Sequence, residues 1–285
     1  MKPGFAVLLA ALLTAAAAAG SQCGCGSCGE GFFSGVDRRL SASLTVEFAS
    51  GYLASSGAIY DTMPVTSQCL DWRLDLGEYG WIDGYGWIIS ALHDRKRKSY
   101  RPYFNEFESG LFYGRDFKMN EKVKFRSVFG PLWNPQIGAR DDHNSYWGLY
   151  FTESVENPVL VPFVSALWMQ EPNQRSRVRV GVRRRFRLLD GLSVTPSIES
   201  IWYDRRRYTA RYGADPKRDF LHGAFTMGVA GLRLEWEASE KLNFFMRIRQ
   251  TDVIDLQARK ATKKMTSYYA RCDWPVVGVG FEYRF

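Results

Sequence analysis

Beyond its first 20 residues, the chain lacks any apolar run long enough to form a membrane-spanning helix. Its charges are not gathered into a nucleic-acid-binding segment, although 38 Lys and Arg against 30 Asp and Glu give a formal net charge of +8. Its five cysteines match no spacing of zinc ligands. These absences argue against a helical membrane protein, a nucleic-acid-binding protein and a zinc protein. Nothing in the sequence predicts a cofactor.

The N-terminus has the pattern of a secretory signal peptide. Lys2 supplies a positive charge, residues 5–19 are almost entirely apolar, and small residues suited to cleavage end the run. We therefore expect residues 1–20 to be removed on export. Residues 21–39, which are rich in glycine and cysteine, are predicted to form a flexible periplasmic tail, and residues 40–285 the folded domain.

The end of the chain alternates with a period of two, which is typical of a β-strand with one apolar face. The residues on that face are Val277, Val279, Phe281, Tyr283 and Phe285. An aromatic C-terminal residue preceded by alternating aromatics resembles the closing strand of bacterial outer-membrane β-barrels. In that family this strand is the signal read by the barrel-assembly machinery. The resemblance implies that role for Phe281, Tyr283 and Phe285, with the assembly machinery as a partner.

Similar alternation recurs along residues 40–285 and predicts an all-β fold. An exported protein that enters a membrane without helices must close its sheet into a barrel, because only closure satisfies every backbone group in lipid. We count about 12 antiparallel strands, joined alternately by long and short connections, with one long loop over residues 131–144. This order predicts a transmembrane β-barrel with both termini in the periplasm. The strands around Trp147 and over Val159–Met169 are the weakest, so about 10 strands is the alternative.

Charged residues occupy one face of many of these strands. Because Arg or Lys facing lipid at mid-depth costs ~2–4 kcal/mol, we expect these residues to point into the lumen. The predicted basic lining consists of Lys122, Lys124, Arg126, Arg177, Arg179, Arg183, Arg247 and Arg249, with Arg73. The predicted acidic lining consists of Asp71, Asp75, Glu106, Glu108 and Glu199, with Glu47 and Glu235.

The basic surplus in this lumen favours anions, because a charged passage concentrates ions of opposite sign. We therefore predict a porin-like passive channel for small solutes with a weak anion preference, and not an enzyme. The alternative is a structural barrel in which ion-paired side chains plug the lumen. A barrel of about 12 strands is wider than the filled 8-strand kind and narrower than open 16-strand porins, so both interpretations stand.

Three of the long connections are strongly basic. These loops are either simply solvated, or bound to the phosphates of lipopolysaccharide, or positioned to recruit anionic solutes. Outer-membrane lipids and lipopolysaccharide are therefore predicted partners. The basic loop residues are Arg95, Lys96, Arg97, Lys98, Arg101, Arg205, Arg206, Arg207, Arg211, Arg259, Lys260, Lys263 and Lys264.

The cysteines fall into two groups. Cys69 begins the second predicted strand and Cys272 precedes the last, and in a closed barrel both strands flank the first. Export permits disulfides, so Cys69 and Cys272 are candidates for a bridge. The remaining cysteines are candidates for a soft metal or a single disulfide in the tail; they are Cys23, Cys25 and Cys28.

A catalytic alternative comes from a His-x-Ser pair, His143 and Ser145, at the outer end of a predicted strand. With Asn157 it resembles outer-membrane phospholipase A, a 12-strand barrel whose Ser nucleophile and His base face lipid. The resemblance implies a lipid hydrolase. However, the strand assignment places Asn157 in the opposite, periplasmic turn, ~35 Å away at ~3.3 Å per residue. A catalytic triad needs its orienting group within ~3 Å of the base, so hydrolysis remains the alternative.

The opening segment resembles the TorF family of porins. There, a first strand that ends in Ser-x-Tyr leads to a loop and a second strand begun by Pro; Ser50, Tyr52 and Pro64 follow this order. The run Asn105–Glu108 is similar to that family's fourth strand. The resemblance implies a passive channel and identifies no site residues.

Overall fold

A computed structural model of the chain describes residues 40–53, 59–61, 64–92, 106–134, 146–170, 176–204, 224–256, 258–259 and 275–285. The predicted signal peptide and tail lie outside these residues. The strands are β1 (Leu40–Ala49), β2 (Tyr52–Leu53), β3 (Ile59–Asp61), β4 (Val65–Asp75), β5 (Trp81–Ala91), β6 (Glu106–Lys118), β7 (Lys124–Asn134), β8 (Tyr146–Glu156), β9 (Val161–Gln170), β10 (Ser176–Arg183), β11 (Phe186–Leu189), β12 (Leu192–Tyr203), β13 (Ala224–Glu237), β14 (Leu242–Val253) and β15 (Val276–Arg284).

The strands form one closed antiparallel barrel. Thirteen of them make a single sheet in the order β10-β9-β8-β7-β6-β5-β4-β1-β15-β14-β13-β12-β11, and β10 also pairs with β12, which closes the ring. Since β10 and β11 both pair with β12, they are two parts of one wall strand. The 13 strands of the sheet therefore make 12 strands of wall, and the predicted fold is confirmed. A small hairpin of β2 and β3 stands apart from the barrel.

The first and last strands form the seam. Their register runs from Ser43 opposite Arg284 to Ala49 opposite Gly278. Backbone hydrogen bonds extend it at both ends: Phe285 N donates to Ala42 O at 3.0 Å, and Ser50 N donates to Val277 O at 2.8 Å. The end of the chain thus closes the barrel.

Short turns join the strands at the rim where both ends of the barrel chain lie, which we call the terminal rim. These turns comprise residues 76–80, which include a 3-10 helix over Gly77–Tyr79, and residues 119–123, 157–160, 190–191 and 238–241. Gly191 closes the fourth of them with a φ of 73°, a conformation that glycine adopts readily. Five of the six connections at the opposite, far rim are longer; the exception, residues 171–175, has five residues. This alternation of short and long connections agrees with the predicted topology.

The barrel wall is apolar outside and polar inside. Ile198 points outward and is 61% exposed, whereas its neighbour Glu199 points inward and is 8% exposed. Tryptophans and phenylalanines on other strands continue the outward apolar surface, including Phe129 and Trp133 on β7. A continuous exposed apolar belt around a closed sheet is the surface of a barrel embedded in lipid. Among the described residues, no helix is long and apolar enough to cross a membrane.

Two details differ from the sequence-based assignment. The predicted loop over residues 131–144 begins too early, because β7 continues to Asn134 with Pro131 and Trp133 outward. The wall strand formed by β10 and β11 is interrupted at residues 184–185, and its pairing with β12 shifts register between Arg187 and Leu189. The register of β7 with β6 has no pair at Pro131, which agrees with the N–H that proline lacks.

Deletion of Phe285 is expected to reduce the amount of assembled barrel severalfold. The residue contributes a hydrogen bond to the seam through its backbone, and its ring packs edge-on against Tyr283 at 5.4 Å between centroids. The check is the fraction of chain recovered in the membrane as compact barrel, judged by the different gel mobility of heated and unheated samples. Leu189, another exposed apolar residue at the terminal rim, provides a control when replaced by alanine. Normal assembly without Phe285 would contradict the proposed assembly signal.

Candidate functional site

The candidate site is the lumen, where opposite sides of the wall carry different charges. In a ring of 12 strands, two strands six places apart face one another, so β4, β5 and β6 lie opposite β10, β12 and β13. The side around β10, β12 and β14 carries the inward arginines Arg177, Arg179, Arg183, Arg247 and Arg249. The side around β4, β5 and β6 carries the inward acids Asp71, Asp83, Glu108 and Asp116.

Glu199 on β12 holds two arginines from different strands. Both Nε and Nη2 of Arg179 on β10 donate to Glu199 Oε2, and Nη2 of Arg249 on β14 donates to Oε1 at 3.0 Å. Gly181 lies directly opposite Glu199, where a Cβ would stand 2.8 Å from the Cβ of Glu199. Two guanidinium groups therefore share one carboxylate, and the cluster keeps a net positive charge.

A second ion pair crosses the closing strand. Arg247 on β14 donates through Nε to Glu47 Oε1 on β1, over the backbone of β15. Gly278 of β15 makes the crossing possible, because a Cβ there would lie 1.9 Å from Glu47 Oε1. Glu47 is only 4% exposed, so its carboxylate depends on this partner.

Arg177 differs from the other arginines of this side. It points inward from β10 opposite Leu167 and Tyr203, and it is 8% exposed. Among the residues that the structure describes, it forms no ion pair or hydrogen bond. Its charge is therefore not offset by any carboxylate among the described residues, although its side chain is largely buried.

The other predicted basic residues occupy varied positions. Arg183 lies 3.4 Å from Glu156, and Arg126 forms a bidentate pair with Asp116 at 2.8 and 2.9 Å. Lys124 stands at the terminal rim opposite Glu156. Lys122 lies in the turn between β6 and β7, exposed, and not on the wall as predicted.

The acidic side is held by hydrogen bonds as well as by ion pairs. Glu108 Oε1 accepts a hydrogen bond from the Tyr85 hydroxyl at 2.6 Å, and Glu108 Oε2 accepts a longer one from Asn134 Nδ2 at 3.5 Å. Asp83 forms a bidentate pair with Arg73 at 2.6 and 2.8 Å. Asp75 lies at the terminal rim, where it accepts a hydrogen bond from Gly77 N. Glu106 is the first residue of β6, paired with Ile89. The remaining acid of the prediction, Glu235, bonds to Arg233.

A cavity of about 450 Å³ lies in the terminal half of the lumen beside the seam. Its charged lining consists of Asp71, Arg73, Asp83, Glu282 and Arg284. Arg73 pairs with Asp83, and Arg284 with Glu282 at 2.9 Å, whereas Asp71 has no ion pair among the described residues. The lumen therefore contains space for small polar solutes in this half.

The far half of the lumen holds three groups of buried apolar side chains beside a few buried polar ones such as Asn134, Thr251 and Arg177, and the sequence pattern did not reveal these groups. The apolar side chains of these groups are at most 9% exposed. The groups are Val65 and Ile89; Leu132, Leu167 and Met169, with the central Phe112; and Ile201, Tyr203, Met227, Val229, Val253 and Val276. Ala258, in a helical turn after β14, joins the third group. This turn is fixed by Asp255, whose Oδ2 accepts a hydrogen bond from Ala258 N at 2.7 Å. The lining thus becomes more apolar towards the far rim.

Three further predictions fall at the edge of the described residues or beyond it. His143, Ser145 and Cys272 lie outside them, as do the basic loop residues other than Arg259. Asn157 lies in the turn at the terminal rim, where its Oδ1 accepts hydrogen bonds from Val159 N and Leu160 N, both at 2.9 Å. Its side chain therefore serves that turn, at the end of β8 opposite to the one that follows Ser145. Cys69 points into the lumen as a free thiol.

Comparison with solved structures supports the barrel fold. An outer membrane channel from Pseudomonas putida F1 is 9% identical to this chain. The match has a TM-score of 0.51 and covers 91% of this chain and 100% of that one. The match to the KdgM porin (9% identity, TM-score 0.46) covers 86% of this chain and 99% of the porin chain. The match to outer membrane phospholipase A from Escherichia coli (14% identity, TM-score 0.46) covers 85% of this chain and 92% of the phospholipase chain. No protein-family model matches the sequence, and neither does any curated protein.

Proposed function

We propose that this chain is a bacterial outer-membrane channel through which small solutes pass, with a weak preference for anions. The terminal rim faces the periplasm in this proposal, because the predicted export signal and the short turns belong to that side. The observation that carries the proposal is the arginine cluster around Glu199. Arg179 and Arg249 contribute two positive charges there and Glu199 one negative charge, and Arg177 adds a further positive charge on the same strand as Arg179, towards the far rim.

The preference is weak because the two sides of the lumen partly cancel. Anions are attracted to the arginine side, while Asp71 and Glu108 on the opposite side attract cations. Most lumen arginines are also neutralised by a paired acid, as Arg247 is by Glu47. Arg177, which forms no ion pair with a described residue, is the charge expected to decide the sign of the selectivity.

A plugged structural barrel is the second candidate, and the apolar groups in the far half of the lumen are the observation that favours it. Hydrophobic constrictions stop ions by excluding water. The same lining in a channel limits passage to small solutes and gives a low conductance. Lipopolysaccharide contacts by the basic loops and recognition of Phe281, Tyr283 and Phe285 by the assembly machinery are further parts of the proposal.

The test is the conductance and reversal potential of the purified barrel in a planar bilayer with a salt gradient. We expect small conductance steps, with chloride passing more readily than potassium. The Arg177→Gln variant should lower the chloride-to-potassium ratio about two- to threefold, since a unit charge ~7 Å from an ion in water is worth ~0.6 kcal/mol. Arg183→Gln should change it less, because Glu156 already offsets that charge.

Arg184→Gln is the matched control. Arg184 points outward from the adjacent position, with its guanidinium 4.5 Å from the centre of the Phe186 ring, so its loss should leave the ratio unchanged. A cation preference in the unmutated barrel would contradict the anion proposal. Absence of conductance from a correctly folded barrel would favour the plugged alternative.

A further inference from the structure

A polar row crosses the outward, lipid-facing surface of β6, β7 and β8. In the register of these strands, Arg115 lies opposite Ser127, and Ser127 lies opposite Glu153. The next residue of the row, Val164 on β9, is apolar and 36% exposed, as expected for the outer surface. An acid and a base among outward residues of a lipid-embedded wall are costly unless they meet polar partners.

Glu153 has an unmet hydrogen-bonding capacity. The Ser127 hydroxyl donates to Glu153 Oε1 at 2.7 Å and holds the carboxylate against the wall. The second oxygen, Oε2, is shielded from solvent and accepts no hydrogen bond from any residue that the structure describes. A carboxylate accepts several hydrogen bonds when ionised, so Oε2 of Glu153 still lacks a donor among the described residues.

Arg115 offers the complementary charge. Its side chain is exposed at the same level of the wall, and its guanidinium lies 5.3 Å from the centre of the Phe117 ring. No described residue forms an ion pair with it. Arg115 and Glu153 are two strands apart, so their backbones are separated by ~10 Å at ~4.8 Å per strand.

The position along the wall suits a lipid headgroup. Ser127 and Glu153 each lie three residues from the end of their strand at the terminal rim, ~10 Å along the strand. Towards the middle of the wall, the next outward residues are Phe129 and Phe151, which are 51% and 43% exposed. A charged pair at the membrane boundary therefore adjoins an apolar surface of the kind that acyl chains cover.

We propose that this row, Arg115, Ser127 and Glu153, binds a zwitterionic phospholipid with a primary ammonium headgroup, of the phosphatidylethanolamine class. The ammonium donates to Glu153, the phosphate accepts hydrogen bonds from the guanidinium of Arg115, and an acyl chain lies along Phe129 and Phe151. A quaternary ammonium has no N–H to donate, and an anionic glycerol headgroup brings no positive charge to Glu153. The site depends on the barrel being embedded in lipid and not on what passes through its lumen.

The test is native mass spectrometry of the full barrel released from detergent, with equal concentrations of phosphatidylethanolamine, phosphatidylcholine and phosphatidylglycerol of identical chains. We expect the ethanolamine lipid to bind about tenfold more tightly than the choline lipid, the effect of one hydrogen bond to a charged group. Equal binding of the ethanolamine and choline lipids to the unmutated barrel would overturn the proposal, whether or not the barrel conducts ions.

Variants separate the two charges. Glu153→Gln should abolish the distinction between ethanolamine and choline lipids and leave glycerol lipid binding unchanged or stronger. Arg115→Gln should weaken binding of all three while preserving their order. Asp190→Asn and Arg184→Gln, which remove charges at the same rim away from the row, should change neither. A preference that survives Glu153→Gln, or one that a chelator of divalent cations removes, would assign the binding to another site or to a bridging metal and contradict the proposal.

Discussion

Replacing Gly280 with alanine is expected to prevent closure of the barrel. Gly280 points inward from β15, and a Cβ there would lie 2.2 Å from Val46 O, 2.6 Å from Phe245 Cζ and 3.0 Å from Glu47 Cα. Two of these atoms belong to the backbone of β1 and cannot move without breaking the seam. We expect a loss on the order of 3 kcal/mol, which leaves little compact barrel. The measurement is the urea midpoint of unfolding in lipid vesicles, with gel mobility as a second readout.

Gly86→Ala provides the matched control. Gly86 lies in the middle of β5, and a Cβ at that position meets no atom within 4 Å. Both substitutions add the same methyl group to a strand glycine, so a difference between them reports the crowding at the seam. Equal unfolding midpoints for the two variants would show that β1 and β15 are less closely apposed than described.

Replacing Glu199 with glutamine is expected to produce the second large effect. Glutamine keeps the shape of the side chain but leaves Arg179 and Arg249 without a counter-charge. Removal of one partner from a fully buried ion pair costs ~3–5 kcal/mol. The side chains of Arg179 and Arg249 are about a quarter exposed, so water offsets part of this cost. We therefore expect the free energy of unfolding to fall by about 2 kcal/mol.

The same variant also tests the channel. A barrel that folds with Glu199→Gln should show a stronger chloride preference than the unmutated one, since a negative charge has left the lumen. Glu240→Gln, in an exposed turn at the terminal rim, controls for loss of a carboxylate and should alter neither stability nor selectivity. A stable Glu199→Gln barrel with unaltered selectivity would show that the arginines do not depend on Glu199.

The sequence was sufficient for the number of strands because the terminal half of the wall alternates strongly. In β10, valines face outward and Arg177, Arg179 and Arg183 face inward. The two-residue period of the strand and the face that points into the lumen can therefore both be read from the sequence. The same reasoning placed Glu47 and Glu199 inside. Where the strand ended in a turn, as at Lys122, the pattern alone did not locate the boundary.

The far half of the lumen was not predictable in this way. In β9, Leu167 and Met169 face inward while Ala166 and Trp168 face outward, so both faces are apolar and the alternation disappears. The contacts across β15 were also hidden, because the pairing of Glu47 with Arg247 depends on which strands are neighbours. The lipid-facing row was hidden for the same reason, because the proximity of Arg115, Ser127 and Glu153 depends on which strands are neighbours.

The seam between β1 and β15 also has a consequence for the timing of folding. Its contacts join residues far apart in the chain: Glu47 and Arg247 are separated by 200 positions, and Ser50 and Val277 by 227. Hairpins along the chain need only local closure, but this pairing must wait until β15 has been synthesised and then carries a large loop-closure entropy. Until then the nascent sheet has two unpaired edges, which are templates for aggregation. Folding of this protein is therefore expected to be slow, post-translational and dependent on a factor that shields those edges.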